Sequence, residues 1–395
     1  MQNDFQRPFR SSFHSCVIGF LAVCTAVGEE TKPEPVTVEQ IEQSVTRGVD
    51  FLVKDQNANG SWGSATRTKH INIYAPLPGA HDAYRAGATG LAFAGLLDSG
   101  DTRPTTLAAI EKCAQWSIDN LPKLRRADQT TTYNIWGHAY GIRSLARLHS
   151  RETDPKKRLL YKNLAQEQVD LVNRYEDVNG GWGYLDVFDN FTSQKPTGIT
   201  TSFSSATVLL AMLEGRDKLG LKLDDKVVSY ALDSIKRQQF PDKSYAYSHL
   251  HIKRPRAVIN RPAGSLARSQ ACNAALRSFG REGITDDVII QWADRFLERE
   301  GWLSIARKRP KPHDIHFKIS GYFYYYGIFY FTESVRQLPP EKQKNYAEKL
   351  AALIVSKQEK DGSWWDYPLY DYHQPYGTGY CLMALAWCED VMTRD

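Results

Sequence analysis

The chain carries two related runs, KDQNANGSW at Lys54–Trp62 and KQEKDGSW at Lys357–Trp364. Each combines a glutamine with a later Gly-Ser-Trp, and each follows an apolar stretch of helical periodicity. A pattern that recurs at both ends of a chain indicates an architecture built from repeats, in which each unit buries its apolar face against its neighbours. The two runs therefore predict a repeat protein.

The composition is that of a globular protein with a large core. The chain has 395 residues, of which 42% are hydrophobic and 24% are charged. Its formal net charge of +5 is modest, whereas nucleic-acid-binding proteins concentrate far more basic charge on one face. We therefore expect no nucleic-acid partner.

The N-terminal 28 residues have the features of an export signal. Arg7 and Arg10 precede the short apolar run Cys16–Val27, and small residues follow at 26–28. That run is too short to span a bilayer as a mature helix, and no later segment has transmembrane composition. We expect a signal peptide at 1–28, a short linker at 29–36 and an exported protein. An acylated lipoprotein anchored at Cys24 and a cytosolic protein with a hydrophobic start remain alternatives.

Four cysteines follow the predicted signal peptide, at scattered positions without a CxxC pair: Cys113, Cys272, Cys381 and Cys388. This spacing argues against a cysteine-built metal site. Buried cysteines commonly act as small apolar side chains. We predict no metal and no cofactor.

Two kinds of helical segment alternate along the chain. The first kind is amphipathic and carries its charges on one face; its members are Val38–Lys54, Thr106–Asn120, Lys157–Arg174, Lys226–Gln238, Asp286–Arg299 and Lys342–Lys357. The second kind is rich in small residues and almost uncharged, as expected for buried helices; its members are Ala86–Leu97, Ile135–Leu148, Thr201–Leu213, Leu266–Phe279, Ser320–Phe331 and Thr378–Trp387.

This alternation predicts an all-α fold, an α/α toroid of about six helical hairpins with an inner and an outer ring. Residues 37–395 would form it as a single domain. Small residues in Ala86–Gly95 would let the inner helices approach closely. The run Tyr322–Phe331 has strand-like composition, but its place in the alternation assigns it to the fifth inner helix. An open α-solenoid is the alternative.

The Gln…Gly-x-Trp element resembles the QW repeat of the squalene cyclase and protein prenyltransferase superfamily. The copy at 47–62 is nearly complete, and the copy at 352–364 is also good. Three further copies are degenerate, at Val169–Trp182, Ala231–Tyr245 and Phe296–Trp302. We interpret the element as structural: the glycine ends a helix, the indole packs on the next repeat, and the glutamine amide bonds free backbone groups.

The catalytic motifs of that superfamily are missing. The nearest matches to the cyclase Asp-x-Asp-Asp acid are Leu223–Asp225 and Thr285–Asp287, and both are expected to cap outer helices. Gly377 occupies the place of the prenyltransferase zinc-binding histidine, and Gly321–Tyr324 offers neither Asp nor Cys. The thioester Cys-Gly-Glu-Gln of complement-like toroids is also absent from the sequence.

Chemistry would then depend on the loops that enter the inner helices, where seven of the ten histidines lie: 70, 81, 249, 251, 313, 316 and 373. Histidine and aspartate can serve as general acid or base. The candidate catalytic residues are Asp366, Asp371, His373, His249 and His316. Solvated loop residues without a catalytic role are one alternative. A metal held by His249 and His251, or by His313 and His316, is another, although neither spacing is specific.

Two sets of side chains are candidates for ligand binding. Arg254, Arg256 and Arg268 could bind the oxygens of an anionic ligand, or they could belong to a solvated basic face. Tyr322, Tyr326 and Tyr376 could line an aromatic cavity, as rings do in the cyclases that the repeat resembles. Core packing is the alternative for these tyrosines.

The sequence supports three hypotheses about function and leaves open whether the protein is an enzyme. The first is a squalene-cyclase-like toroid that acts on or binds an anionic or isoprenoid-like ligand in its central cavity. The second is a non-catalytic binding or interaction module for a lipid, glycan or peptide. The third is a polysaccharide lyase-like enzyme on the same general fold. The substrate, the reaction and the oligomeric state are not determined by the sequence.

Overall fold

The computed structural model describes residues 33–69, 75, 77–186, 195–313 and 318–394. Residues Pro33–Asp395 form a compact unit. The all-α prediction is confirmed, because the described ranges contain thirteen α-helices and only isolated β-bridges. The signal peptide predicted at 1–28, with Cys24, lies outside the described residues, as do His70 and His316.

Six helices form the outer ring and expose one face. In α1, for example, Ile41, Val49 and Leu52 are buried while the charged positions between them are exposed. The outer helices are α1 Val38–Asp55, α3 Pro104–Asn120, α5 Pro155–Asn173, α7 Asp225–Arg237, α9 Asp286–Glu298 and α12 Pro340–Ser356.

Six helices form the inner ring, and most of their residues are buried. They are α2 Pro78–Asp98, α4 Asn134–Arg151, α6 Ser202–Leu219, α8 Pro262–Ser278, α11 Phe323–Val335 and α13 His373–Met392. Each inner helix packs on the next, and α13 packs on α2. The ring is therefore closed, as expected for a toroid and unlike an open solenoid. A short helix, α10 Glu300–Ser304, lies between α9 and α11.

The Gly-x-Trp elements make the same contacts in three repeats. The Trp62 indole N–H donates to the Leu52 carbonyl at 2.8 Å, and Trp364 does the same to Ile354 at 2.9 Å. Trp182 repeats the bond with Val172 at 2.9 Å. In each case the indole N–H donates to one of the last carbonyls of an outer helix, where the regular intrahelical donors run out.

The glutamines join neighbouring outer helices. The Gln56 amide donates to the Ala109 carbonyl of α3 at 2.9 Å. The Gln358 amide donates to the Ser44 carbonyl of α1 at 2.8 Å, and the Ser44 hydroxyl donates back to its Oε1 at 2.9 Å. The last repeat is thus fastened to the first. The degenerate copy ending at Trp302 makes no such contact, since that side chain is 46% exposed.

The glycine of each element touches the neighbouring outer helix. Gly362 has a φ of +91° and faces the Arg47 carbonyl, and Gly60 has the same φ and faces the Lys112 carbonyl. A side chain here would require a left-handed backbone that β-carbons disfavour. It would also overlap the facing carbonyl oxygen.

Gly362→Ala should therefore lower the free energy of unfolding by about 2–5 kcal/mol, since backbone strain and overpacking add. Gly100→Ala is the matched control, because Gly100 has a φ of +71° with nothing within 4 Å of an added Cβ. It should cost only the strain of about 1–2 kcal/mol. Urea denaturation measures both, and equal losses would show that the close approach at Gly362 has no energetic weight.

Three inner helices, α2, α8 and α13, begin a helical turn or more earlier than the sequence predicted. Helix α2 starts at Pro78, so His81 and Tyr84 lie on its first turns and not in a loop. Helix α13 starts at His373 and includes Tyr376. The predicted capping role of Asp224 is confirmed, because its carboxylate accepts from the Lys226 and Val227 backbone N–H groups. Within the described ranges, helices of sufficient length and apolarity to cross a bilayer are absent.

Candidate functional site

A central cavity of about 420 Å³ opens at the N-terminal ends of the inner helices. Its walls come from α2, α4, α6, α11 and α13 and from the segments that precede these helices. The described lining residues are Ala83, Tyr84, Gly87, Ala88, Leu91, Tyr133, Trp136, Tyr140, Tyr184, Leu185, Phe203, Pro312, His313, Tyr322, Phe323, Tyr326, Leu369, Tyr372, Tyr376 and Tyr380. Nine of these are tyrosines, and none is a carboxylate, lysine or arginine.

The aromatic rings occupy successive helical turns. On α4, Trp136 and Tyr140 are four residues apart and their rings stack with centroids 6.2 Å apart. Phe203 of α6 packs edge to face against Phe323 of α11, with ring centroids 5.0 Å apart. Residues four apart on a helix share one face, so α4 and α13 each present two rings to the centre. The wall is therefore a stack of aromatic layers.

Several phenolic hydroxyls of the wall are already hydrogen-bonded. Tyr140 and Tyr380 bond each other through their hydroxyls. The Tyr326 hydroxyl lies 3.1 Å from the Phe203 carbonyl and 3.1 Å from the Thr207 hydroxyl. Buried polar groups with such partners do not require a polar ligand. These residues therefore offer mainly their ring faces to the cavity.

Asp366 lies directly behind the wall. The Tyr376 hydroxyl donates to its carboxylate at 2.5 Å, and the Tyr325 backbone N–H donates at 3.0 Å. Burial raises the pKa of Asp366 to about 6, although those two hydrogen bonds oppose the rise. Asp366 is fully buried and reaches the cavity only through Tyr376.

Below the cavity the inner ring is filled by a buried ion cluster. Arg143, 1% exposed, pairs with Glu214 at 3.1 Å and with Glu333 at 2.9 Å. Arg147 pairs with Glu214 and, at 2.8 Å, with Asp98. Burial opposes ionisation of Glu214, but the two guanidinium groups outweigh it and hold the pKa of that carboxyl below its ordinary value. These charges lie on helices that the sequence predicted to be almost uncharged.

The three arginines predicted to bind an anionic ligand do not line the cavity. Arg254 and Arg256 are exposed. Arg268 is fully buried, but its guanidinium donates to the backbone carbonyls of Tyr245, Gly264 and Ile259. Its donors fasten the loop before α8, because buried carbonyls outside a helix need partners.

The four candidate acids and bases that the structure describes do not converge on one site. The His249 side chain lies at a separate pocket of about 230 Å³ beside Arg237 and Gln238. Asp371 accepts from the Ser64 hydroxyl at 2.9 Å, His316 lies outside the described residues, and Asp366 lies behind Tyr376.

His373 is not among the described residues that line the cavity. Its Nδ1 donates to the Tyr370 carbonyl at 2.7 Å, and its ring meets Trp365 edge to face at 5.1 Å. Burial lowers the pKa of His373. These contacts position the start of α13. In the described part of the chain, no three His, Cys, Asp or Glu side chains converge as metal ligands would.

The three predicted aromatic residues, Tyr322, Tyr326 and Tyr376, do line the cavity. Two other tyrosines of α11, Tyr324 and Tyr325, are fully buried in the core. The sequence prediction did not name the cavity rings of the other inner helices as site residues: Tyr133, Trp136, Tyr140, Phe203 and Tyr380. A search for aromatic residues four apart near the start of an inner helix would have found Trp136 with Tyr140, and Tyr380 with Tyr376. Tyr133 and Phe203 have no such partner in the sequence.

The closed double ring and its aromatic cavity define the chain as an α/α toroid. No family model and no curated protein sequence matches it. Solved structures match in fold. The cellobiose 2-epimerase from Spirochaeta thermophila aligns with a TM-score of 0.57 at 11% identity, covering 90% of this chain and 98% of that one.

Two further solved structures have the same fold. A family 76 glycoside hydrolase from a bovine Bacteroides thetaiotaomicron strain has a TM-score of 0.55 at 12% identity, over 87% of this chain and 77% of that one. The unsaturated glucuronyl hydrolase from Bacillus sp. GL1 has a TM-score of 0.53 at 12% identity, over 88% and 96%. Identities this low establish the fold alone. The resemblance to squalene cyclases is not seen among these structures.

Proposed function

We propose that this toroid binds an uncharged, carbon-rich, isoprenoid-like molecule in its central cavity. The observation that carries the proposal is the wall itself, in which nine tyrosines, Trp136, Phe203 and Phe323 surround about 420 Å³. Cavities of roughly 300–1,000 Å³ with apolar, aromatic walls are typical of small-molecule sites. Each Å² of apolar surface removed from water there stabilises a complex by about 25 cal/mol.

The charge distribution supports a neutral ligand. The described lining residues include no carboxylate or guanidinium, and a buried charge without a partner is strongly unfavourable. Arg254 and Arg256, which could have favoured an anion, are exposed elsewhere. The hydroxyls of Tyr140, Tyr326 and Tyr380 are occupied within the wall. A molecule with few polar groups fits this arrangement best.

A glycan is the competing ligand, since the solved structures with this fold include an epimerase and two glycoside-processing hydrolases. Glycosidases of the common type place two carboxyl groups on either side of the scissile bond. None of the described residues that line this cavity supplies one. The glycan therefore serves as the comparison ligand in the test.

The purified protein should gain thermal stability from farnesol but not from cellobiose or glucuronic acid. Ligand at about 100 times its Kd stabilises the native state by about 2.7 kcal/mol, which differential scanning fluorimetry detects as a rise in Tm. Farnesol should also change the emission of Trp136, whose ring is part of the wall. That component should vanish in Trp136→Phe.

Ala88→Trp should abolish the stabilisation by farnesol. Ala88 lines the cavity and is 4% exposed, so an indole there would occupy the ligand's space. Leu107→Trp on the outer helix α3, where Leu107 is 48% exposed, should keep the farnesol response. Stabilisation by cellobiose alone would replace the proposal with a glycan site, and an undiminished farnesol response in Ala88→Trp would place the ligand elsewhere.

A further inference from the structure

His313 lies on the cavity wall in a strained backbone conformation. Its φ is 54°, in the left-handed region that residues with a β-carbon disfavour. The conformation is held by a hydrogen bond from its backbone N–H to the Ser320 hydroxyl at 2.9 Å. Residues kept in such conformations concentrate at functional sites, because the surroundings must over-determine them.

The imidazole of His313 has a defined tautomer. Its Nδ1 lies 3.2 Å from the Lys318 carbonyl oxygen, and a carbonyl can only accept a hydrogen bond. Nδ1 therefore carries the proton, and Nε2 of the neutral ring has a free lone pair. That Nε2 lies 3.3 Å from the Tyr322 hydroxyl, which must be the donor. The pair is arranged to move a proton from Tyr322 to His313.

Two more phenols continue this line. The Tyr247 hydroxyl lies 3.5 Å from that of Tyr322, and it bonds the Tyr184 hydroxyl. Because the Tyr322 proton points to His313, the Tyr322 oxygen remains an acceptor on its other side. Tyr184, Tyr322 and His313 all line the cavity. The Tyr322 oxygen can therefore accept a proton from a ligand in the cavity.

The surroundings of the pair keep the His313 imidazole neutral, which leaves its Nε2 available as a base. Burial lowers the pKa of His313, and the positive charges of Arg268, Lys318 and His251 contribute in the same sense. The buried Arg268 guanidinium lies 5.9 Å from the Tyr247 ring centroid and bonds backbone carbonyls, with no described carboxylate as partner. A fixed positive charge stabilises negative charge that develops nearby.

We infer that His313 and Tyr322 form a general base that removes a proton from a carbon-rich ligand, at a C–H bond next to an electron-withdrawing group. The Tyr322 oxygen takes the ligand proton while the Tyr322 O–H proton passes to Nε2 of His313. The electron pair of the C–H bond stays on the ligand, and the resulting imidazolium returns its proton to water. This activity goes beyond binding and requires of the proposed function only that the cavity admit an apolar molecule.

The test uses 5-nitrobenzisoxazole, an uncharged bicyclic probe. Removal of its C3 proton breaks the N–O bond and gives a coloured cyanonitrophenolate, so no other reactant is needed. The wild-type protein should open the ring with saturable kinetics. The rate should rise with pH and level off above an inflection below the ordinary histidine pKa of about 6.5, because the neutral imidazole is the base.

His313→Gln and Tyr322→Phe should each reduce kcat by about tenfold or more, with little change in KM, since general-base catalysis typically contributes at least that factor. Tyr322→Phe removes a single oxygen and so preserves the fold of the wall. His149→Gln, at the opposite end of α4 from the cavity, should retain the wild-type rate. Farnesol should inhibit competitively.

The outcomes separate this inference from the proposed function. If the probe binds and farnesol displaces it, but both variants open the ring as fast as the wild type, the general base is overturned and the binding cavity stands. If neither the probe nor farnesol binds, both proposals are overturned. A ¹⁵N spectrum of His313 that shows a proton on Nε2 and none on Nδ1 would also overturn the base.

Discussion

Arg143→Met should lower the free energy of unfolding by about 3–5 kcal/mol, as expected when one partner of a buried ion cluster is removed. The Arg143 guanidinium is 1% exposed and joins Glu214 of α6 to Glu333 of α11. Methionine fills similar volume but leaves two carboxylates buried with fewer partners. The cost comes from that unpaired charge more than from the lost attraction.

Chemical denaturation at several pH values measures this effect. The pKa of Glu214 and that of Glu333 are both held below the ordinary range in the folded protein, against the effect of burial. Their contribution is present above the unfolded value of about 4.3 and is lost as the pH falls through the folded values. The difference between wild type and Arg143→Met should therefore shrink in acid, where protonation removes the unpaired charges.

Arg216→Met is the matched control. Arg216 lies on the same helix as Glu214 but is about half exposed, and its partner Asp217 is exposed too. Surface pairs contribute about 0–1 kcal/mol. A loss at Arg143 no larger than that at Arg216 would mean that water reaches the cluster, contrary to the burial of its members.

Trp364→Ala should cost about 3–5 kcal/mol, as expected for a large aromatic side chain in a core. Trp364 is fully buried, its indole N–H satisfies the Ile354 carbonyl, and its backbone N–H donates to the Thr378 hydroxyl at 3.1 Å. The ring also lies against Gly48 of α1. Alanine would therefore leave a cavity and remove the indole hydrogen bond where the last repeat meets the first.

Trp302→Ala tests whether burial and not the tryptophan itself accounts for the loss. Trp302 directly follows Gly301, and Trp364 lies two residues after Gly362. Unlike Trp364, the Trp302 side chain is 46% exposed. Its replacement should change stability by less than about 0.5 kcal/mol, as for other surface positions. Trp62→Ala, at an equivalent buried element, should resemble Trp364→Ala. Thermal or urea unfolding of the three variants decides; equal losses at Trp302 and Trp364 would contradict the structural assignment.

Much of the fold followed from local patterns. The alternation of amphipathic and small-residue helices gave the two rings, because a helix that is apolar nearly all round must be buried. Tyr322–Phe331 was correctly assigned to a helix despite its strand-like composition. The starts of α2 and α13 were placed too late, because polar residues such as His81 and His373 resemble loop residues until their packing is known.

Less of the site could be predicted. Tyr322, Tyr326 and Tyr376 were expected at the cavity and line it, whereas Arg268 was expected to face a ligand and instead bonds backbone carbonyls. The sequence cannot distinguish these outcomes, because a buried arginine and a binding arginine have the same identity. Where the Arg268 side chain points depends on which backbone carbonyls the folded loops leave without partners.

The sequence by itself determined the repeat architecture, through the Gln…Gly-Ser-Trp elements, the left-handed glycines and the periodicity of the helices. Those features act over a few turns of chain, so they can be read locally. Only the tertiary structure decided that the ring closes through Gln358 and Ser44, that the cavity is aromatic and free of described charged residues, and that His313 meets Tyr322. These contacts join residues that are distant in sequence or set by loop conformation, and only packing selects among their possible partners.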